Sequence, residues 1–213
     1  MKKKVISLVL CAALLAVAVI GGTLAYFTDT TDTKENTFTV GKVDIDIEET
    51  SPEKEGYQQG EATKNGYEYE NILPNEKLSK LVVINVEEDS EDAWVYAKLT
   101  VKGYNELYAA LTAAGLDATD FSALLLNKNL GTGVVIDAWQ DGDVFNIVYT
   151  NGVMKAEATW TLFDGIQVPQ EFTQEIVAGL GEVELDVTGY AIQASEIKTA
   201  AEGWTALGVH TAN

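Results

Sequence analysis

Short segments in which apolar and polar residues alternate are the feature of this sequence that most restricts its fold. A period of two is typical of β-strands that bury one face and expose the other. Polar turns separate the segments, and two of these turns contain an Asx-Gly pair, which favours a tight hairpin. The pattern predicts about eight or nine antiparallel strands. The clearest alternating segments are residues 43–47, 81–86, 93–101, 145–149 and 183–187.

Three local predictions follow from the turns between these segments. The acidic residues 87–92 predict a hairpin between the strands at 81–86 and 93–101. Asn151-Gly152 predicts a second hairpin turn, leading into a strand at residues 156–162. At Gly189 the apolar positions change parity, from Val187 to Tyr190, which predicts a β-bulge or a strand break.

A few helices interrupt the strands. Tyr104, Leu107, Tyr108 and Leu111 follow the i, i+3, i+4, i+7 spacing of an amphipathic helix that ends near Gly115. We expect a second short helix around Phe121, capped by Asp117 or Thr119, and a terminal helix through Trp204, capped by Ser195. Residues 104–130 or so therefore look like a helical insertion into a β-domain.

The N-terminus has the three parts of an export signal. Lys2, Lys3 and Lys4 precede an apolar run from Val5 to Ile20, and Thr23-Leu24-Ala25 supplies small residues for cleavage between Ala25 and Tyr26. We expect a helical signal peptide at 1–25, a mobile polar arm at 26–36 and one domain at 37–213. The protein would then be secreted, and it would touch a membrane only through an uncleaved leader.

The charge balance excludes several partners. The chain has 33 acidic and 14 basic residues, and loss of the three leader lysines lowers the formal charge from −19 to −22. Such a surface repels nucleic acid and anionic lipid. The single cysteine, Cys11, lies in the apolar run, so the mature chain should depend on core packing without a thiol or a disulfide.

Several motifs resemble the TasA/camelysin family, whose precursors are cut by a SipW-type signal peptidase. The resemblance implies a jelly-roll sandwich and a cell-surface or biofilm-matrix protein that forms fibres. We therefore predict an all-β, antiparallel two-sheet jelly-roll-like β-sandwich with a few inserted short helices. The motifs are GGTLAYFTD at 21–29, NTFTVG at 36–41, LPNEKLSK at 73–80, DAWV at 92–95 and GYAIQA at 189–194.

Assembly is the leading functional hypothesis. Cleavage frees Tyr26 and Phe27 at the start of a polar arm, and Phe38 and Val40 follow on alternate positions. An extended segment of this kind can pair with an open sheet edge of another subunit and propagate head to tail. We expect self-association and no cofactor. One alternative is a monomeric adhesin. Four tryptophans could line a glycan-binding groove in it, although packing is their favoured role: Trp94, Trp139, Trp160 and Trp204.

A camelysin-like surface metallopeptidase is the other alternative. Catalytic zinc sites rely on histidine, yet the chain holds one histidine, His210, and no HExxH motif. We therefore expect no enzyme activity, no catalytic residue and no specific metal site, with His210 in an exposed tail. Weak calcium candidates, chosen because Ca²⁺ prefers carboxylate oxygens in loops, are Glu87, Asp89, Asp92, Asp141 and Asp143.

Overall fold

The computed structural model describes residues 42–64 and 66–210, together with the backbone of residues 28–30. The strands in these ranges are β1 (Thr28–Thr30), β2 (Ile45–Thr50), β3 (Gln58–Gln59), β4 (Glu61–Thr63), β5 (Gly66–Glu68), β6 (Lys77–Ser79), β7 (Leu81–Val86), β8 (Ala93–Lys102), β9 (Leu125–Leu126), β10 (Val135–Asp141), β11 (Val144–Met154), β12 (Thr159–Phe163), β13 (Gly165–Gln167) and β14 (Glu184–Gln193).

The helices are short and lie between strands or at the end of the chain. None of the described helices is long and apolar enough to cross a membrane. They are α1 (Tyr104–Ala113), a 3-10 helix (Phe121–Leu124), α2 (Gln174–Ala178) and α3 (Ala200–Leu207).

One layer of the fold is a five-stranded antiparallel sheet in the order β1-β14-β8-β11-β10. Its centre is β8, which pairs with β14 over ten residues without a shift, from Glu184 opposite Lys102 to Gln193 opposite Ala93. Val95 and Leu99 of β8 are completely buried. Because β8 has a strand on each side, its backbone groups are paired along its whole length.

The second layer is a sheet that breaks in the middle. The order β12-β7-β2 forms one half, and β3-β6-β13-β9 forms the other. β6 and β7 are separated only by Lys80, and β12 and β13 only by Asp164. A bulge in β12 places Phe163 opposite Val82, and beyond the break the pairing returns to its earlier register, with Thr161 opposite Val83 and Ile166 opposite Leu78. Both interrupting residues are charged and ion-paired, Lys80 with Glu49 and Asp164 with Lys54.

The two layers enclose one main core, to which β2, β7, β8, β11, β12 and α1 all contribute. Val82, Ile84 and Leu162 from the second layer are completely buried there, and so is Ala97 from the first. The predicted all-β sandwich with inserted helices is confirmed. The predicted helical leader lies outside the described residues, and the domain boundaries stay predictions.

The hairpin predicted between residues 81–86 and 93–101 is wrong, because β7 and β8 lie in different layers. Both strands bury their apolar face in the same core from opposite sides, so the acidic link between them must cross from one layer to the other. This link is held by the chain that enters β2: the amide of Glu87 donates to the carbonyl of Asp44, and the amide of Glu91 to that of Lys42.

The hairpin turn predicted at Asn151-Gly152 is also wrong. β11 continues through this pair as a bulge, with Gly152 at φ 81°. The Thr150 hydroxyl donates to the Val95 carbonyl at 2.7 Å and accepts from the Gly152 amide at 3.0 Å, which stabilises the bulge. The chain leaves for β12 after Met154, by a turn in which Glu157 has φ 63°.

The parity change at Gly189 has a different cause from the bulge predicted there. β14 stays in register with β8 throughout. Ala191 packs into the main core, whereas Tyr190 and Ile192 pack on the opposite face, against α3. This end of β14 is apolar on both faces because a helix covers the side that is elsewhere open to solvent.

The predicted helices are present, but their caps differ. α1 matches the prediction, and Asp143 accepts a hydrogen bond from the Asn105 amide in its first turn at 2.7 Å. The 3-10 helix begins after Asp120, not at Asp117 or Thr119. α3 is capped by Thr199 with Glu202 in a capping box, whereas Ser195 was predicted as the cap.

The Lys80–Glu49 pair gives a stability prediction. Lys80→Met leaves the partly buried Glu49 carboxylate without its ion-pair partner. We therefore expect a loss of about 2 kcal/mol in the free energy of unfolding, measured with urea. This is below the value for a fully buried pair because the Glu49 side chain is 24% exposed. The double variant E49Q/K80M removes both charges and should recover most of the loss. Wild-type stability in Lys80→Met alone would contradict the prediction.

Candidate functional site

The outer edge of β14 is where the first described strand docks. β1 pairs with β14 in antiparallel fashion, with Thr28 opposite Ile192 and Thr30 opposite Tyr190. β8 occupies the other side of β14 along its full length. On the outer side, no strand of the described chain pairs with Glu184–Thr188. The edge is therefore filled at one end and open to a further strand at the other, within the residues that the structure describes.

Charges mark the open half of this edge. The Lys102 ammonium lies between the carboxylates of Glu184 and Asp186, at 2.6 and 2.9 Å. Hydrogen bonds with Glu184 and then Asp186 raise the pKa of Lys102, against a smaller opposing effect of burial. Charged side chains on an edge strand limit unspecific pairing with other sheets. This charge would make pairing at this half of the edge selective.

A cleft of about 950 Å³ begins beside the same half of β14. Its exposed acidic residues include Glu68, Glu70, Glu182 and Glu184. Lys80 and Glu49 also line it and pair with each other. The cleft combines an apolar lining with acidic residues, a combination suited to an apolar segment without negative charge. Its apolar lining includes Leu107, Leu124, Leu125, Val177, Leu180 and Leu185.

A second group of buried residues lies on the outer face of the five-stranded sheet, and we call it the C-terminal cluster. It contains Tyr96, Val148, Tyr190 and Ile192 from the sheet and Trp204 from α3. The Trp204 ring lies 5.4 Å from that of Tyr190, edge to face, and 5.6 Å from that of Tyr96. Aromatic pairs in this range add to the stabilisation from burial.

Asp137 of β10 joins this cluster to the chain that follows α3. The Trp204 indole N–H donates to Asp137 Oδ2 at 3.0 Å, and His210 Nδ1 lies 2.6 Å from the same oxygen. Since a carboxylate only accepts, Nδ1 carries the proton and donates. The imidazole also stacks on Trp139, with ring centres 4.0 Å apart. His210 is therefore packed, and the predicted exposed tail histidine is wrong.

The Asp137 carboxyl has a perturbed pKa. Partial burial raises it, but hydrogen bonds from Trp204 and His210 outweigh that effect and hold the pKa below the ordinary value of 3.8. A lowered pKa means that the folded state favours the charged form. The carboxylate thus stabilises the attachment of α3 as long as it is ionised.

The donors around His210 do not fit a zinc centre. Zinc sites use three or four His, Cys or carboxylate ligands, and here His210 and Asp137 are hydrogen-bonded to each other while the other neighbours are tryptophans. In the described ranges, no three metal-ligating side chains come together.

The five calcium candidates are divided between two loops. Glu87, Asp89 and Asp92 belong to the link between the layers, where Asp89 pairs with Lys42 at 2.7 Å. Asp141 and Asp143 belong to the β10–β11 turn, where Asp143 accepts a hydrogen bond from the Asn105 amide in the first turn of α1. The structure assigns a structural contact to Asp89 and Asp143 and does not bring the candidates together.

The four tryptophans all pack against other parts of the chain. Trp160 is in the main core, where its indole donates to the Asn129 carbonyl at 2.7 Å. Trp204 is buried in the C-terminal cluster, and the half-buried Trp94 and Trp139 pack against that cluster. Packing was the favoured interpretation, and the contacts agree with it.

The residues predicted to form the assembly arm and its cleavage site lie outside the described part of the chain: Ala25, Tyr26, Phe27, Phe38 and Val40. The sequence did not predict the pairing of residues 28–30 with β14, nor the anchoring of Trp204 by Asp137. The parity change at Gly189 was the available signal, because apolar residues on both faces of an edge strand indicate a covering element on each side.

Asp137 gives a pH prediction. A group with a lowered folded-state pKa contributes stability above its unfolded pKa and loses it as the pH falls through the folded value. The gap in melting temperature between wild type and Asp137→Asn should therefore stay constant down to about pH 5 and shrink below about pH 4. Thermal unfolding of both proteins from neutral to acid pH measures it. A gap that widens in acid would contradict the assignment.

Comparison with known protein families finds a match at the N-terminus. Residues 1–54 match the family described as camelysin metallo-endopeptidase. No curated protein and no solved structure matches the chain. The matched residues include the predicted export signal, β1 and β2 with the cleft residue Glu49, and they end before the rest of the cleft and the C-terminal cluster. The chain is therefore similar to the camelysin family over residues 1–54, about the first quarter of its length.

Proposed function

We propose that this protein is a structural component of the cell surface or biofilm matrix, and that it assembles into fibres by passing its N-terminal strand to a neighbouring subunit. The observation that supports the proposal is the pairing of residues 28–30 with β14 at a sheet edge. An edge that accepts this segment within one chain offers the same backbone groups to the same segment of another chain.

The length of the connection permits such an exchange. Fourteen residues, 31–44, separate β1 from β2. Fully extended, they span about 45 Å, which is enough to reach the next subunit. Exchange of an identical element between subunits needs no new type of contact, and because donor and acceptor are different surfaces it can continue into a filament.

The register of β1 indicates how a donor strand would meet the cleft. Each further residue of an antiparallel donor faces the preceding residue of β14. With Thr30 opposite Tyr190, a donor continued from the neighbour would place Lys34 opposite Asp186 and Asn36 opposite Glu184. Phe38 and Val40 would follow beyond the start of β14 at Glu184, where the chain at Glu182 and Leu180 lines the cleft. Two apolar side chains on alternate positions suit its apolar lining.

The high charge sets a condition on assembly. Without the leader lysines, each subunit carries a formal charge of −22. Like charges oppose close contact between subunits, and salt screens that repulsion. We therefore expect assembly to be faster at physiological salt than at low ionic strength.

Prolines in β1 test the proposal. In an antiparallel pair, only every second residue donates its amide to a given partner strand. The amides that β1 donates to β14 therefore belong either to Asp29 or to Thr28 and Thr30. Either Asp29→Pro or the double variant T28P/T30P removes them. One of these variants should raise the concentration needed for filaments about fivefold or more, since each lost hydrogen bond costs about 1 kcal/mol. Light scattering and negative-stain microscopy of protein that begins at Tyr26 measure the effect.

The matched control is T28S/T30S, which keeps every backbone donor and should form filaments like the wild type. Filaments at wild-type concentrations from both proline variants would overturn strand exchange. Monomers from the wild type under every salt condition would overturn fibre assembly itself and favour a monomeric adhesin.

The family description also includes a metallo-endopeptidase, and this alternative has its own test. The described residues supply no fitting donor set for zinc. We expect purified protein to keep its melting temperature after treatment with a chelator and to leave an unfolded protein substrate intact with added Zn²⁺. Chelator-sensitive proteolysis that persists through further purification would establish the enzyme instead.

A further inference from the structure

The C-terminal helix covers the part of β14 to which the N-terminal strand is bound. β1 pairs with Tyr190, Ala191 and Ile192. Tyr190 and Ile192 are also the residues of β14 that pack in the C-terminal cluster, and the Trp204 ring meets Tyr190 edge to face. The same short stretch of β14 therefore has β8 on one side, β1 on the other and α3 across its outer face.

Several polar contacts fix α3 on this face. The Tyr96 hydroxyl donates to the Ala200 carbonyl at 2.8 Å, and the Trp94 indole donates to the Ile197 carbonyl at 3.0 Å. At Gly203 the helix lies so close to the sheet that an added Cβ would collide with the Tyr96 hydroxyl. The helix has no room to shift toward the sheet at this point.

Asp137 fixes the other side of the helix. It accepts from Trp204 and His210 with the same oxygen, and His210 in turn stacks on Trp139 of β10. β10 is the far edge of the five-stranded sheet. The contacts of α3 thus extend across the sheet, from β10 to the strand-accepting edge at β14.

We infer that α3 and the residues up to His210 form a latch that positions the accepting edge of β14, with Trp204 as the positioning residue and Asp137 and His210 as its anchor. This inference rests on the proposed strand exchange. The latch acts by covering Tyr190 and Ile192, whose rigid placement keeps the outer backbone groups of β14 aligned for a partner strand. An edge whose outer face is open to water would fray and bind a strand less well.

Coupling between two sites is reciprocal. If the latch strengthens strand binding, then a bound strand must strengthen the latch. Loss of the β1 pairing should therefore loosen α3, although the described residues 28–30 are far from α3 in sequence.

Hydrogen exchange of the mature chain tests the latch. Trp204→Phe keeps an aromatic ring but removes the N–H that donates to Asp137. It should speed amide exchange about tenfold at residues 28–30 and 190–192, relative to the centre of β8, since a hydrogen bond to a charged group is lost. The measurement is made at a concentration where light scattering shows monomers, so it does not depend on fibre formation.

Trp160→Phe is the matched control, because it removes an indole donor from the main core, away from β14. It should not raise exchange at residues 190–192 more than at the centre of β8. Of the reciprocal variants Asp29→Pro and T28P/T30P, the one that removes the amides donated to β14 should speed exchange in α3. Trp204→Phe should also raise the concentration needed for filaments, whereas Trp160→Phe should change it in proportion to stability alone.

Two results would overturn the latch. One is unchanged relative exchange at residues 190–192 in Trp204→Phe, and the other is faster exchange there with unchanged filament formation. If the wild type forms no filaments while the exchange pattern is as expected, the proposed function fails and only the positioning of β14 within one chain is supported.

Discussion

The pairing of β14 with β8 is the interaction on which the rest of the structure depends. Ten consecutive residues of each strand face each other without a bulge. The main core buries one face of β8 along the strand, and the C-terminal cluster covers the other face at Trp94 and Tyr96. A strand held this firmly gives its neighbour a fixed position, so β14 can remain an edge strand and still present an ordered row of backbone groups. The rigid centre therefore makes the accessible edge possible.

The chain protects that edge in two ways that act at its two ends. At Glu184 and Asp186, carboxylates and Lys102 place charge along the strand, which discourages unspecific pairing. At Tyr190 and Ile192, α3 covers the outer face while β1 fills the edge itself. Strand exchange would use both features, because the incoming strand replaces an identical strand and meets a charged, selective stretch next to it. An acidic surface without cysteines suits a secreted protein whose association depends on backbone pairing and packing.

The local elements and the two-sheet class could be predicted from the sequence, but which consecutive strands share a layer could not. Alternation gave the strands and the i, i+3, i+4 spacing gave α1, because both depend on neighbouring residues. Residues 87–92 and 151–152 were predicted as hairpin turns, whereas the structure has a crossing between layers at the first and a bulge at the second. A hairpin buries the same apolar residues as the observed arrangement in each case. Only contacts with residues distant in sequence decide between the two. The cap of α3 and the partner of His210 depend on contacts distant in sequence, such as that with Asp137. Gly189 was misjudged because a covering helix produces the same parity change as a bulge.

The most direct test of strand exchange uses the absence of cysteine after residue 11. Asp29 and Ala191 lie opposite each other in the β1–β14 pair, at a separation that a disulfide can bridge. Mature Asp29→Cys protein is mixed with mature Ala191→Cys protein under assembly conditions and mild oxidation, and the products are separated by mass. The account predicts a disulfide between one chain of each kind. A disulfide that forms only when both cysteines are in the same chain would show that β1 stays with its own subunit and would contradict the account.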